Sequence, residues 1–330
     1  MATENRARKI ALDAAKIVTT VLIIAVLVRK LGWGTIVDTV AGSDPLWLVA
    51  AFAVYFISIL LGVVQWRVIL ENRGLSLPFR RVFKLYFVGM FFNSFMAGGI
   101  VGDIVKVASI RSRDGKGMAG LAATVLDRFA GLWALCGFAV MGSLILLNRG
   151  MLTHGRVTTA VIALFAAFAL FAGIMLFLMF KPLQKFFFSI IDRYSLFQRL
   201  RIKEVVSEML IEAQDFKLMI SVFALAAVTQ FLRICAQIST AASLGMVTME
   251  NFQYFFVFVP IIAMMMTIPL PFGVREAAGG ALFALAGFQR DTAFIMGFLT
   301  SLIGIAVSSL GGVFFITERM HKSKIKNTAG

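Results

Sequence analysis

Charged side chains lie inside the apolar parts of this 330-residue chain, and several of them gather where the apolar pattern is interrupted. On insertion scales a charged group at the bilayer centre costs about 2.5–3.5 kcal/mol, so each one needs a partner, water or a function. At the first interruption, Asn93, Asp103 and Lys106 surround a glycine-rich stretch at residues 98–102. Glycine lets a backbone approach a ligand closely, and the free amides at the start of a helix attract anions. This combination predicts a site for an anionic group.

A second group of charges follows a proline-rich interruption at residues 267–273. The prolines there end one half-helix, and a glycine allows the turn before Arg275 and Glu276 open the next half-helix. An arginine at a helix N-terminus is unfavourable with the helix dipole unless an anion lies beside it. We therefore expect an anion close to Arg275, supplied by Asp103, by Glu276 or by a lipid headgroup.

Other polar side chains interrupt two of the apolar stretches. Asp127 and Arg128 come early in one stretch, where we expect them near the cytoplasmic face. In another, Gln230, Arg233 and Gln237 recur at i, i+3 and i+7, which places them on one face of a helix. Such a polar stripe is expected to face a cavity. Substrate binding and a purely structural role, as an internal salt bridge or a snorkelling side chain, both stay open for these charged residues.

Sequence signals of catalysis are weak. His154 and His321 fall in a loop and in the tail, and no phosphate-binding loop, nucleophile elbow or zinc-protease motif occurs. We expect no catalytic residues, no cofactor and no metal site, and an ATP-driven pump is excluded unless a partner supplies the motor. Cys136 and Cys235 lie in apolar runs and are predicted as core residues. The basic residues lack the interleaved aromatics of a nucleic-acid surface.

Apolar spans account for most of the chain. Hydrophobic residues make up 60% of it and the mean hydropathy is +0.90, which is far from the composition of a soluble domain. A bilayer core of about 30 Å needs about 20 apolar residues per helix. We predict six full spans, at residues 10–28, 46–66, 119–147, 157–180, 218–244 and 292–317. Trp66, with Arg67 at the end of the second span, is interpreted as an interfacial anchor.

Two more apolar segments, 85–108 and 252–287, are broken midway by glycines or prolines and predict hairpins. With a cytoplasmic N-terminus, 24 of the 32 Lys and Arg residues fall on the cytoplasmic side, five fall outside and three lie in apolar segments. This asymmetry fits the positive-inside rule. The first hairpin then opens from the cytoplasm and the second from the outside. Inverted, interrupted segments of this kind indicate a transporter site near the midplane, although two ordinary kinked spans are the alternative.

The interruptions also carry a family resemblance. Its elements are Asn93 with Gly98-Gly99, the run Gly102-Asp103-Ile104-Val105-Lys106, the stretch Ala122–Gly131 around Leu126-Asp127-Arg128, and Gly273-Val274-Arg275-Glu276-Ala277. Over residues 10–317 the chain resembles the lysylphosphatidylglycerol synthase transmembrane family, also called flippase-like integral membrane proteins. It departs from the family pattern at Ala97, where proline is common, and at Val101, where a second glycine often stands.

The resemblance implies translocation of a lipid between membrane leaflets. The full-length synthases add a soluble domain that transfers lysine to phosphatidylglycerol, whereas this chain stops some 13 residues after its last span, so we expect no aminoacyl transfer. The implied cargo is an anionic or aminoacylated phospholipid or a lipid-linked intermediate. A membrane enzyme or an accessory protein acting on a lipid-linked cell-envelope substrate is the alternative.

We therefore predict an all-α integral membrane protein with six transmembrane helices and two inverted re-entrant hairpins. It forms one transmembrane domain over residues 1–330, with pseudo-symmetric halves at 10–180 and 218–317 joined by a cytoplasmic amphipathic segment at 181–217. We expect it in a bacterial or archaeal inner membrane, with both termini cytoplasmic. Its expected partners are membrane lipids with an anionic headgroup and no nucleic acid; a homo-oligomer or a separate lipid-modifying enzyme stays open. The predicted substrate-binding residues are Asn93, Asp103, Lys106, Asp127, Arg128, Arg233, Arg275 and Glu276.

Overall fold

Helices form all the regular structure that can be described. The computed structural model describes residues 33–95, 100–150, 162, 165–166, 168–174, 215–265 and 274–328. Within these ranges every regular element is a helix, which confirms the predicted all-α class for this part of the chain. In a bilayer a helix satisfies its backbone hydrogen bonds internally, and that requirement explains the architecture.

Within each described range, short connections join consecutive helices. In chain order they are α1 (Trp33–Ala41), α2 (Pro45–Asn72), α3 (Phe79–Phe95), α4 (Val101–Asp114), α5 (Gly117–Asn148), α6 (Phe216–Ser243), a 3-10 turn (Phe252–Tyr254), α7 (Phe255–Met265), α8 (Val274–Ala284) and α9 (Arg290–Thr328).

Four of these helices are long and apolar enough to cross a membrane: α2, α5, α6 and the part of α9 from Arg290 to Thr317. They coincide within a few residues with the predicted spans at 46–66, 119–147, 218–244 and 292–317. The predicted span at 10–28 and most of the span at 157–180 lie outside the described residues. So does nearly all of the predicted linker at 181–217, and the total of six spans stays a prediction.

Both predicted interruptions, called the first and the second break below, fall between consecutive described helices, and residues 96–99 and 266–273 themselves lie outside the described residues. α3 ends at Phe95 and α4 begins at Val101, while α7 ends at Met265 and α8 begins at Val274. The two helices on either side of each break pack against each other. A methyl group at Gly102 would overlap the carbonyl oxygen of Gly89, so α3 and α4 approach at backbone distance. Whether these hairpins re-enter the membrane from opposite faces stays a prediction.

The described residues divide into two compact units with alternating segments. The first unit contains 33–56, 87–95, 100–103, 232–265 and 274–328; the second contains 57–86, 104–150, 162, 165–166, 168–174 and 215–231.

In the first unit, α9 presents a face of small residues. A Cβ added at Gly304 would lie 3.6 Å from the Tyr55 hydroxyl oxygen. A methyl group at Gly311 would overlap the carbonyl oxygen of Phe87 on α3. Small residues let helices approach closely in lipid, where packing and not water exclusion holds them together. This face therefore lets α9 approach α2 and α3 closely, and Phe314 and Phe315 of α9 add edge-to-face contacts with Phe87 and Phe92 of α3.

In the second unit, α5 and α6 pack through aromatic side chains. The Phe223 ring lies 5.1 Å from Trp133 and 6.3 Å from Phe129, both edge to face. Edge-to-face pairs at such distances are favourable beyond the area they bury. Close by, a Cβ at Gly131 would lie 3.1 Å from Gln230 Nε2, so this glycine makes room for a polar side chain of α6.

Candidate functional site

Glu276 is the most deeply buried acidic residue among the candidates. It lies in the first turn of α8, where a carboxylate is favourable with the helix dipole, and it is 2% exposed. Its Oε1 atom lies 2.5 Å from Ser301 Oγ on α9. Gly297, one turn earlier on α9, has no side chain to obstruct the approach, and its Cβ position would lie 3.6 Å from Glu276 Cγ. The pattern of small residues on α9 thus makes room for a buried carboxyl group.

At the first break, Asn93 joins α3 to the start of α4. Its Oδ1 atom accepts a hydrogen bond of 2.7 Å from the backbone amide of Gly102. That amide belongs to the first turn of α4, where backbone N–H groups have no partner within their own helix. Asp103 follows in the same turn and is half-buried. The structure therefore gives Asn93 a role in holding the break, in addition to any role in binding.

Two arginines belong to the same unit. Arg275 is the second residue of α8, and its side chain lies outside the described part of the structure. Arg233 is half-buried on α6, and its Nε atom is buried without a hydrogen-bond acceptor among the described residues. A guanidinium group is always charged, so a buried N–H without an acceptor is costly. Arg233 therefore has a donor that suits an anionic ligand.

The second unit places Lys106 against two aromatic rings. Lys106 is 5% exposed, and its Nζ atom lies 4.8 Å from the centroid of the Trp66 ring and 5.1 Å from that of Tyr86. Gly62 leaves space for this arrangement, because a Cβ there would come within 2.5 Å of the Tyr86 hydroxyl oxygen. Cation–π contacts of this kind contribute about 0.5–2 kcal/mol each, with the larger values where water is excluded.

The interpretation of Trp66 as an interfacial anchor is wrong. The side chain is completely buried, with 0% exposure, and packs under Lys106 in the protein interior. An interfacial tryptophan must expose its ring to the headgroup region. Lys106 and Tyr86 take up the face of the ring that a lipid headgroup would otherwise meet.

The remaining candidates of the second unit differ in their surroundings. Asp127 Oδ1 accepts a hydrogen bond of 3.0 Å from Gln65 Nε2, and Gln65 is itself 3% exposed. Arg128, the next residue, is exposed. The half-buried Asp127 therefore contacts α2, whereas Arg128 is exposed.

The eight predicted residues are divided between the units. Asn93, Asp103, Arg233, Arg275 and Glu276 belong to the first unit, and Lys106, Asp127 and Arg128 belong to the second.

Sequence reasoning missed the neighbours that hold these residues. For Ser301, the available signal was the spacing of small residues on α9, at 297, 301, 304, 308 and 311. Gln65 and Trp66 adjoin each other inside an apolar span, and an uncharged polar residue there also indicates a buried partner. Neither signal says which helix the partner is on.

The outer faces of the spans define the class of protein. Large apolar side chains are exposed on all four membrane-length helices, for example Leu46 at 74%, Leu147 at 60%, Ile220 at 54% and Ile316 at 58%. Surfaces of this kind are stable in lipid and unfavourable in water. Together with the charged residues at the two breaks, they define a multi-pass α-helical membrane protein.

The chain belongs to the lysylphosphatidylglycerol synthase transmembrane-region family, whose model matches residues 14–312. The resemblance inferred from the motifs at the two breaks is thereby confirmed. Among curated proteins, the chain is similar to the UPF0104 membrane protein PH1989 of Pyrococcus horikoshii, with 21% identity over 92% of this chain and 96% of that protein. No solved structure matches the chain.

Proposed function

We propose that this protein is a lipid flippase, which moves an anionic or aminoacylated phospholipid, or a lipid-linked intermediate, between the leaflets of the inner membrane. The observation that carries the proposal is the buried Nε atom of Arg233, which has no acceptor among the described residues although it lies in a membrane-spanning helix. Carboxylates and phosphates are the usual partners of such a group, and a phosphate is the one that a phospholipid supplies. The family to which the chain belongs supports a lipid as the source of that phosphate.

In this proposal the arginines bind the phosphate, and the carboxylate of Asp103 at the first break binds another part of the headgroup. Arg233 and Arg275 neutralise the phosphate, while Asp103 accepts a hydroxyl or ammonium group of the lipid. All three residues belong to the same unit. The acyl chains stay in the surrounding lipid, so the protein desolvates only the headgroup. A hinge or shear movement of the helices then changes the leaflet to which the headgroup has access.

The test is a translocation assay in proteoliposomes with fluorescent phosphatidylglycerol, its lysyl ester and a polyprenyl phosphate. Arg233→Gln is compared with Arg290→Gln, which changes an exposed arginine at the start of α9. Losing a hydrogen bond between charged groups costs about 1.5–3 kcal/mol, so we expect Arg233→Gln to weaken transport of the best lipid by about 10- to 100-fold. Arg275→Ala and Asp103→Ala are expected to abolish transport, and Arg290→Gln to leave it unchanged.

Failure of the wild-type protein to move any of the three lipids, with a monodisperse chromatographic profile, would overturn the proposal. Mass spectrometry of the lipids in the same vesicles distinguishes a flippase from the alternative, a membrane enzyme. A membrane enzyme leaves a covalently altered lipid, and a flippase does not.

A further inference from the structure

The second half of α6 carries polar side chains of two kinds. Its three hydroxyl groups, on Ser239, Thr240 and Ser243, each donate a hydrogen bond of 2.7–3.0 Å to a carbonyl oxygen of the preceding turn of α6 itself. Such bonds satisfy a short polar side chain within its own helix. The two longer side chains differ. Arg233 Nε has no acceptor among the described residues, and the carboxamide of Gln237 makes no hydrogen bond with any of them.

Arg233 and Gln237 are one helical turn apart and lie on the same face of α6. The residues around them on this side of the helix are fully buried, with Ile234, Thr240 and Ala241 at 0% exposure. Arg233 and Gln237 are only half-buried. Their polar ends therefore reach accessible space beside a face that packing otherwise closes.

Gln230, the third member of the predicted polar stripe, has different surroundings. It is 7% exposed, and a Cβ at Gly131 of α5 would lie 3.1 Å from its Nε2 atom. Gln230 is thus packed within the second unit, whereas Arg233 and Gln237 belong to the first. The sequence predicts that the whole stripe faces a cavity, and in the structure only Arg233 and Gln237 remain partly accessible.

Arg233 and Gln237 offer two different kinds of hydrogen bonding to one ligand. A guanidinium group only donates, and it suits the oxygen atoms of a phosphate. A carboxamide both donates and accepts, so it can exchange hydrogen bonds with a hydroxyl group, which does the same. Four residues of an α-helix advance by about 6 Å. A ligand that fits both side chains therefore has a phosphate followed, a few bonds away, by uncharged hydroxyl groups.

We propose that Gln237 recognises the hydroxyl groups of the lipid headgroup while Arg233 binds its phosphate. The preferred cargo is then a phosphodiester lipid with a neutral polyol headgroup, such as phosphatidylglycerol. This inference rests on the function proposed above and narrows its lipid classes to one. A headgroup that ends in an ammonium group meets no negative charge on this part of α6, because residues 232–243 include no acidic residue. A bare phosphate has no hydroxyl group for Gln237 to bind.

Two lipids that differ only in hydroxyl groups test this inference. Phosphatidylglycerol and phosphatidylpropanol have the same phosphodiester charge and the same length of headgroup, but the propanol headgroup has no hydroxyl group. Native mass spectrometry of the purified protein measures the binding of both lipids in competition, so the result does not depend on transport. A hydrogen bond between neutral groups changes affinity by about 2- to 10-fold, and we expect the wild type to prefer phosphatidylglycerol by that factor.

Variants of α6 assign the preference to one side chain. Gln237→Leu is expected to bind phosphatidylglycerol as weakly as phosphatidylpropanol and to keep the affinity for phosphatidylpropanol. Gln237→Glu is expected to change the preference toward the lysyl ester of phosphatidylglycerol, because a carboxylate attracts its ammonium groups. Arg233→Gln is expected to weaken both phosphodiester lipids alike. Ser239→Ala is the matched control and is expected to keep the wild-type preference, because that hydroxyl group is already satisfied by the backbone of α6.

Equal affinity of the wild type for the two lipids would overturn the inference. So would an equal loss of both lipids in Gln237→Leu, which is the result expected of a purely structural residue. The translocation assay with the same two lipids separates this inference from the proposed function. A preference that depends on Gln237, without translocation of any lipid, would support the recognition site and overturn the flippase function. Equal binding of the two lipids, with translocation of both, would do the reverse.

Discussion

At the scale of single residues, Trp66 illustrates what a sequence can and cannot show about a membrane protein. An aromatic ring at the end of an apolar span is typical of the membrane interface, and its neighbour Arg67 strengthened that interpretation. In the structure the ring instead lies under Lys106, which approaches from α4, some 40 residues further along the chain. The sequence identified Lys106 as a candidate from its charge. It gave no indication of the ring beneath it, because that contact depends on how α2, α3 and α4 pack.

The burial of Trp66 predicts that two tryptophans of α2 contribute unequally to the stability of the protein. Removing a fully buried tryptophan costs about 3–5 kcal/mol, and the contact with Lys106 is lost as well. Trp47, on the same helix, is 46% exposed and has less packing to lose. We expect Trp66→Ala to lower the apparent Tm of the detergent-solubilised protein several times more than Trp47→Ala does. Equal losses in the two variants would contradict the buried position of Trp66.

At the scale of elements, both helix breaks were predictable from the sequence because glycine and proline interrupt long apolar runs at 98–102 and 267–273. The four described spans were predictable for the opposite reason, since uninterrupted apolar length is the strongest signal in a membrane sequence. The packing partner of each helix was not predictable. The close approach of α9 to α2, α3 and α8 depends on glycine and serine, which carry little hydrophobic signal of their own.

This face of α9 predicts opposite effects for two Gly→Ala substitutions. At Gly311 an added methyl group would overlap the carbonyl oxygen of Phe87, and backbone cannot move aside as a flexible side chain can. At Gly304 the nearest atom, the Tyr55 hydroxyl oxygen, is at an ordinary contact distance of 3.6 Å. Alanine in a helix is more stable than glycine by about 0.5–1 kcal/mol when space allows.

Thermal unfolding of the two variants, followed by size-exclusion chromatography, measures the difference. We expect Gly311→Ala to lower the apparent Tm and the yield of folded protein, and Gly304→Ala to leave both unchanged or slightly raised. The packing of α3 on α9 would have to be revised if Gly311→Ala behaved like Gly304→Ala.

At the scale of the whole molecule, the distribution of Lys and Arg residues predicts orientation. The segment 67–84, from the end of α2 to the start of α3, carries five of them and is predicted on the cytoplasmic side, whereas the end of α5 near Arg149 is predicted outside. Two exposed positions lie in these regions: Ser76, between α2 and α3, and Asn148, at the end of α5.

Labelling of single cysteines in intact cells measures this orientation. In a background with Cys136 and Cys235 replaced by alanine, a membrane-impermeant maleimide is expected to label Asn148→Cys without lysis and Ser76→Cys only after lysis. The reverse pattern would place the N-terminus outside and would exchange the sides from which the two hairpins are predicted to open.

The small-residue face of α9 also has a mechanical consequence. Where glycine and serine line a helix contact, few side chains obstruct a displacement of one helix along the other. This face touches α8 at Glu276 and α3 at Phe87, one helix from each interruption of the apolar pattern. Glu276 thus contacts a helix that is also the neighbour of the first break. α9 therefore links one helix of each interruption directly, with no third helix between them.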